Sequence, residues 1–283
     1  MLFLLISTSM IVSMSTFAFA NESKFEIDRE LIGQSLEQII ENVGDEMINE
    51  DSLRETLYEK EIQSYMHDTE FQKAYEENPQ LALKMIEQNV ENQLDFIKTY
   101  QAYSVNSGNE NGAWVDPILI MQKNSYFCGP CSALQAIAIY GGSVSGASNN
   151  AKQDTLAAAM GTDATGTYVY KVTNTLNKYV PGYSYKLGGE LTDFSFKYTV
   201  LNSLINEKAP ILHARTKYLE YYNGHNTGHY ICVTAINNVD NLIRLSDCNN
   251  NSKYYGTRSI PRVQAFNSIT KEPERYLISS SML

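Results

Sequence analysis

A thiol, an imidazole, a carboxylate and a side-chain amide stand in this chain at positions that suit acyl transfer. Cys128 opens Cys128-Gly129-Pro130-Cys131, and Gln122 precedes it by six residues. His229 lies in Gly228-His229-Tyr230-Ile231-Cys232-Val233, and Asp247 closes Leu245-Ser246-Asp247. Pro130 in a first turn, then Ala133, Leu134, Ile137, Ala138 and Tyr140 up to Gly141-Gly142, predicts a buried helix starting at Cys128 and stopping at the glycine pair. A cysteine at a helix start faces unpaired N–H groups and the positive end of the macrodipole, which raise its thiolate fraction. An adjacent imidazole completes the activation. Asp247 would hold the ring in one tautomer and stabilise its charged form. The Gln122 amide and the Cys128 N–H would donate to the oxygen that turns negative in a tetrahedral intermediate.

The elements around these residues follow from periodicity. Runs rich in Ile, Val and Tyr and broken by Asn, Asp and Gly predict strands over 210–215, 230–236, 242–246 and 253–258, and a second helix is predicted from Thr167 to Tyr179. His229 then opens one strand and Asp247 ends the next, so that hairpin pairing brings the carboxylate beside the imidazole. Helices first and strands afterwards give an α+β domain with an antiparallel sheet over 114–283. Upstream, Leu83, Ile86, Val90, Leu94 and Ile97 form the apolar face of a helix capped by Asn78 ahead of Pro79. Ile32, Leu36, Ile39 and Val43 form a second stripe, and aromatic residues near Tyr65 and Phe71 a third helical stretch. Residues 104–113 lose periodicity and gain Gly, Asn and Ser, the composition of a nickable linker.

Charge separates the two halves. Residues 21–110 carry 21 acidic and 7 basic side chains, against 11 and 15 over 111–283. Opposite net charges suit two units that attract each other. The chain begins with an apolar run ending in Ala18-Phe19-Ala20 before polar Asn21-Glu22, so residues 1–20 read as a signal peptide and the protein as secreted or cell-surface, with no stable membrane span after cleavage. No Lys or Arg precedes Lys24; the alternative is an uncleaved anchor. The acidic balance and the lack of a basic run exclude nucleic acid as a partner.

The order Gln122, Cys128 at a helix start, His229, Asp247 resembles the papain-like cysteine peptidases. The fuller pattern, Tyr126-Phe127-Cys128-Gly129-Pro130, Gly228-His229-Tyr-Ile-Cys-Val-Thr-Ala and Leu245-Ser246-Asp247, is similar to the bacteriocin-processing branch, cysteine peptidase family thirty-nine, over roughly residues 115–280. The resemblance implies a papain-like fold whose helical lobe presents Cys128 as nucleophile, with His229 as base, Asp247 as orienter and Gln122 in the oxyanion hole. It implies a peptide or protein substrate and neither metal nor organic cofactor. Double-glycine leader specificity is not carried over, because those processors are usually cytoplasmic domains of transporters. Position, opposite charge and a nickable joint also let the helical segment 21–103 resemble a propeptide packed on the catalytic domain, the alternative being a permanent helical partner or targeting domain.

Other readings compete. Cys128-Gly-Pro-Cys131 is the C-x-x-C of thioredoxin-like oxidoreductases, but Lys123-Asn124-Ser125 interrupts the short apolar run before it and no βαβ pattern follows. A transglutaminase-like acyltransferase shares the Cys, His, Asp order, and a binding protein on a peptidase scaffold would not need all four residue types. Cys131 is a candidate for reversible oxidation onto Cys128. Cys232 reads as a small core residue and Cys248 as a cysteine that pairs with either. His225 and His229 are four apart across a loop, a spacing that does not make a zinc site there. His225 reads as a cleft-rim residue, His213 as a half-buried structural histidine, and Tyr218, Tyr221 and Tyr222 as a groove lining.

Overall fold

The computed structural model describes Gln38, residues 50–105 and residues 111–283. The signal peptide expected at 1–20 and the stripe from Ile32 to Val43 lie outside those residues. In chain order the described elements are helices α1 (Glu50–Tyr65), α2 (Thr69–Glu77) and α3 (Pro79–Val105), strand β1 (Gly112–Trp114), helices α4 (Cys128–Ile139), α5 (Asn149–Met160) and α6 (Val169–Leu176), and strand β2 (Ser184–Leu187). Then come α7 (Asp193–Ile205), β3 (Ile211–Arg215), β4 (Gly228–Asn237), β5 (Leu242–Asp247), β6 (Gly256–Pro261), α8 (Arg262–Thr270) and β7 (Tyr276–Ser279). The α+β architecture read from the sequence is the one observed.

One antiparallel sheet organises the second half, in the order β2-β7-β3-β4-β5-β6, with β1 on β4. No parallel pair occurs among the described strands, so the βαβ unit of the thioredoxin-like alternative is not formed there. The ladder brings functional ends together. Arg215 at the end of β3 pairs with Gly228 at the start of β4, and Asp247 at the end of β5 pairs with Gly256 at the start of β6. Cys232 opposes Ser246, so alternation puts Asp247 on the same face as Ile231 and His229. Helix α4 packs on β4 and is flanked by α5 and α6; α7 and α8 meet through Phe196 and Phe266, 5.5 Å apart.

The N-terminal helices form as the apolar stripe requires. Ile86, Val90, Leu94 and Ile97 are buried, and Asn78 Oδ1 accepts the Leu81 N–H at 3.1 Å. The expected third stretch is two helices, because Asp68 takes the Glu70 and Phe71 N–H groups and caps α2. This unit is seated on β2, β7 and the start of α6. Tyr65 packs on Phe71 and edge-on against Tyr185, and the Tyr65 hydroxyl donates to the Tyr185 carbonyl. Glu61 and Lys186 form a buried ion pair at 2.6 Å, with Gln93 and Asn89 donating to the same carboxylate. Burial alone would raise the Glu61 carboxyl; the Lys186 charge and these donors outweigh it and hold it below its ordinary range. Tyr276 donates to Asp68 at 2.9 Å.

Several elements differ from expectation. Regular structure reaches into both ends of the 104–113 segment, since α3 runs to Val105 and β1 begins at Gly112. The strand expected at 253–258 starts at Gly256 instead, because Asn251 turns the chain: its side chain accepts the Lys253 N–H at 3.0 Å and its carbonyl the Tyr254 N–H at 2.9 Å. Among the described residues no helix is long and apolar enough to cross a membrane.

Candidate active site

Cys128 is the first residue of α4, and Phe127 before it supplies no side-chain cap. The N–H groups at the helix start are therefore free to face the thiol. Burial would raise the Cys128 thiol, but the nearby His229 imidazole, with the Tyr230 and Gly129 N–H groups, outweighs it and brings the thiol below its ordinary value. Gly129 is required by close approach. A Cβ there would lie 2.9 Å from Thr167 Oγ1 and 3.5 Å from the Tyr230 ring, which form the adjoining wall. Tyr230 is fixed in turn by its hydroxyl, which donates to the Thr167 carbonyl at 2.7 Å.

His229 is buried, and its Nε2 meets Asp247 Oδ1 at 2.8 Å, which leaves Nδ1 for the Cys128 side. Asp247 is saturated with donors. Oδ1 also accepts the Asn249 N–H at 2.9 Å, and Oδ2 accepts the Tyr221 and Tyr222 hydroxyls at 2.8 Å each. A carboxylate with four donors and no donor of its own is best satisfied ionised. Burial pushes Asp247 up, but the His229 charge and these bonds hold it below the usual range. For His229 burial acts downward, and Asp247, Cys128 and Cys248 reverse it and carry the imidazole well above its ordinary value. The two shifts, thiol down and imidazole up, favour a thiolate–imidazolium pair.

Gln122 is buried at the same junction. Its N–H donates to the Cys248 carbonyl at 2.7 Å, and its Oε1 lies 3.8 Å from Cys248 Sγ. The segment carrying it is clamped by other amides: Gln135 Nε2 donates to the Ile120 carbonyl at 3.1 Å, and Gln153 bridges the Met121 carbonyl and the Lys123 N–H at 3.0 and 2.9 Å. The structure thus gathers all four residues named from the sequence at one end of the sheet.

The extent of the family match agrees with this lobe. Residues 115–275 match the Peptidase_C39 like family. The chain belongs to that family. The second half is therefore a cysteine-peptidase-like domain, and the helices α1–α3 lie outside the matched region. No curated protein matches the chain.

Within the Peptidase_C39-like domain some side chains stand elsewhere than expected. Tyr221 and Tyr222, read as groove lining, direct their hydroxyls at Asp247 instead; they sit in a single 3₁₀ turn (Glu220–Tyr222) that carries no periodic signal. Cys131 turns away from Cys128 and donates to the Ile120 carbonyl at 3.3 Å. Cys232 is a buried core residue donating to the Ser132 carbonyl at 3.1 Å. His213 is stacked at 4.5 Å on Tyr230, its Nε2 accepting from Arg275 at 3.0 Å, and burial with the nearby Arg275 and Arg215 charges keeps it neutral. His225 is exposed and stacks over Tyr222 and Tyr254. Among the described residues no group of three or more His, Cys, Asp or Glu side chains is arranged to hold a metal ion. Asn249 and Cys248, beside Asp247, are the residues that sequence reasoning left without a part in the site.

Proposed function

We propose that this protein is a secreted cysteine peptidase that hydrolyses peptide bonds through Cys128, His229 and Asp247. The observation that carries the proposal is His229 placed between the Cys128 thiol and Asp247, with Nε2 on the carboxylate at 2.8 Å. The Cys128 thiolate attacks the substrate carbonyl carbon, and the oxygen gains a negative charge facing the Cys128 N–H and the Gln122 side-chain amide. As the tetrahedral intermediate collapses, imidazolium His229 gives its proton to the leaving amine and a thioester remains on Cys128. Neutral His229 then takes a proton from water, the hydroxide equivalent attacks the thioester, and the carboxylic product leaves with the ion pair restored. Asp247 keeps the ring oriented and stabilises its charged form throughout.

The same proposal includes a precursor. A signal peptide is removed after Ala20, and the acidic helical segment covers one side of the cleft until the chain is cut ahead of Gly112. Support comes from α2, where Lys73 Nζ lies 4.1 Å over the Tyr168 ring and Glu77 accepts the Tyr170 hydroxyl at 2.6 Å, both close in sequence to Thr167. Incubating the purified precursor and its Cys128→Ala variant with a peptide library, and mapping all new N-termini by mass spectrometry, tests both parts. Cys128-dependent cleavage of library peptides supports the peptidase, and Cys128-dependent cleavage of the precursor between 104 and 113 supports self-activation. Cleavage by the Cys128→Ala variant would remove the first, and full activity from an uncut chain the second.

A further inference from the structure

Two arginines stand beside His229 on the sheet face that carries Tyr230. Arg215 is the Cα partner of Gly228 in the β3–β4 ladder, and directly opposed residues of an antiparallel pair point to one face. A Cβ built on Gly228 would meet three guanidinium atoms of Arg275 at 3.5 to 3.6 Å, so the Arg275 side chain crosses β3 onto that same face. Two residues along the strands, His213 and Tyr230 are stacked with ring centroids 4.5 Å apart, and the Tyr230 ring adjoins Gly129. Gly129, Tyr230, His213 and Arg275 thus form a continuous floor leading away from Cys128. Because Gly228 adjoins His229, the Arg275 guanidinium lies within roughly 10 Å of the His229 Cα, the length of about three residues of extended peptide.

Neither guanidinium has an anion. Arg275 Nη1 donates to His213 Nε2 and to the Glu274 carbonyl, each at 3.0 Å, and both acceptors are neutral. Its Nε–Nη2 edge, the fork that fits a carboxylate, makes no hydrogen bond, and the Arg215 Nε is likewise buried without a partner. Among the described residues neither arginine forms an ion pair. The neighbouring carboxylates are engaged elsewhere: Glu272 pairs with Lys217 and accepts the Tyr218 hydroxyl at 3.0 Å, and Glu274 accepts the Thr69 hydroxyl at 3.4 Å. Buried guanidinium donors without an acceptor are costly, and a ligand carboxylate removes that cost.

We propose that Arg215 and Arg275 form a subsite for a carboxylate of the substrate, so that the protein selects peptides with an Asp or Glu side chain, or a free C-terminus, at one fixed position near the cleaved bond. As a substrate specificity it rests on the peptidase reading above; as a binding site it is measured without turnover. An extended peptide lying over Tyr230, with its reacting carbonyl at Cys128, brings a carboxylate to the Nε–Nη2 edge of Arg275, and Arg215 adds a second positive charge on the same face.

The test uses the full chain carrying Cys128→Ala, which binds without turnover. Its probes are short fluorescein-labelled Ala-Gly peptides with one Glu at each position in turn, their Gln counterparts, and a Glu-free peptide made as the C-terminal acid and as the amide. Fluorescence anisotropy should show a carboxylate peptide of one register binding about tenfold tighter than its neutral counterpart. Adding Arg215→Gln and Arg275→Gln together should bring that ratio close to one. An advantage for internal Glu assigns the subsite to an acidic side chain, and an advantage of acid over amide assigns it to the C-terminus. Equal affinities within every charged and neutral pair, or a ratio unchanged by the two arginine substitutions, would overturn the proposal. If the substituted chain does not fold, the ratio measured with both arginines present decides alone. The same peptides offered to the wild type separate the two readings: charge-selective binding with no Cys128-dependent cleavage removes the peptidase and leaves the subsite, and cleavage without charge selection does the reverse.

Discussion

Replacing Asp247 by Asn separates the charge of the orienting group from its shape. Asp247 accepts four hydrogen bonds, two on each oxygen. In Asp247→Asn, Oδ1 keeps the His229 and Asn249 donors, and Nδ2 faces two tyrosine hydroxyls that rotate to accept from it. No buried partner is stranded, so the fold and the ring orientation persist. What is lost is the charge opposite imidazolium. A charge-assisted bond is worth roughly twice a neutral one, a difference of about 1 to 1.5 kcal/mol, or about tenfold in rate. The same loss lowers the His229 pKa, because the Asp247 charge is the first of the causes that hold it up. Activity needs imidazolium, so the basic limb of the kcat/KM profile must move to lower pH while the acid limb, set by Cys128, moves less. Asp247→Ala strands four donors and should cost more than about a hundredfold, because each unsatisfied buried group adds roughly 1 to 3 kcal/mol. The assay is kcat/KM against pH for wild type and both variants on a cleaved library peptide. Equal losses for Asn and Ala, or an unmoved basic limb in Asp247→Asn, would refute the reasoning.

Three further outcomes follow from the same contacts. Gln122→Ala should lower kcat by about 10² to 10³ with KM little changed, measured by steady-state kinetics, because it removes a donor to the oxyanion alone. Lys186→Met leaves Glu61 buried without its cation and should cost about 3 to 5 kcal/mol in urea unfolding, much of it recovered in Lys186→Met/Glu61→Gln. Glu70 is pushed up to about 7 by burial, against the opposing Val169 and Tyr170 N–H groups and Lys73 and with Asp68 adding to the rise. Its folded pKa lies above the unfolded value, so its contribution is most favourable below pH 4.5 and is lost as pH rises through about 7. Thermal melts between pH 5 and 8 should show this loss in wild type and less of it in Glu70→Gln.

The legible parts of the fold were those whose signal is local. Ala133, Leu134 and Ile137 mark α4 by spacing, and the Ile- and Val-rich runs of β3, β4 and β5 are buried strands flanked by turn residues. Helices α5, α7 and α8 escaped because their buried faces mix polar with apolar residues, as Gln153 and Ser203 show. Strand β2 has four residues, one of them a lysine, and Lys186 is buried only because Glu61, far upstream, meets it. The site behaved the same way. Cys128, His229 and Asp247 carry recognisable chemistry, whereas Tyr221 and Tyr222 matter through a turn that folds their hydroxyls onto Asp247, a contact no spacing announces. Cys131 is the reverse case: its C-x-x-C spacing suggested Cys128 as partner, but tertiary packing turns its thiol to the Ile120 carbonyl.

The central claim, that Cys128 carries an acyl group during peptide hydrolysis, is tested most directly by trapping that group. The full chain, mixed with a cleaved library peptide and quenched in acid at short times, should show by intact mass an acyl adduct equal to the N-terminal product fragment. Peptide mapping should place it on Cys128, and hydroxylamine should discharge it as expected of a thioester. Turnover of the same peptide by the Cys128→Ala variant at the wild-type rate, or an adduct on any residue other than Cys128, would contradict the account.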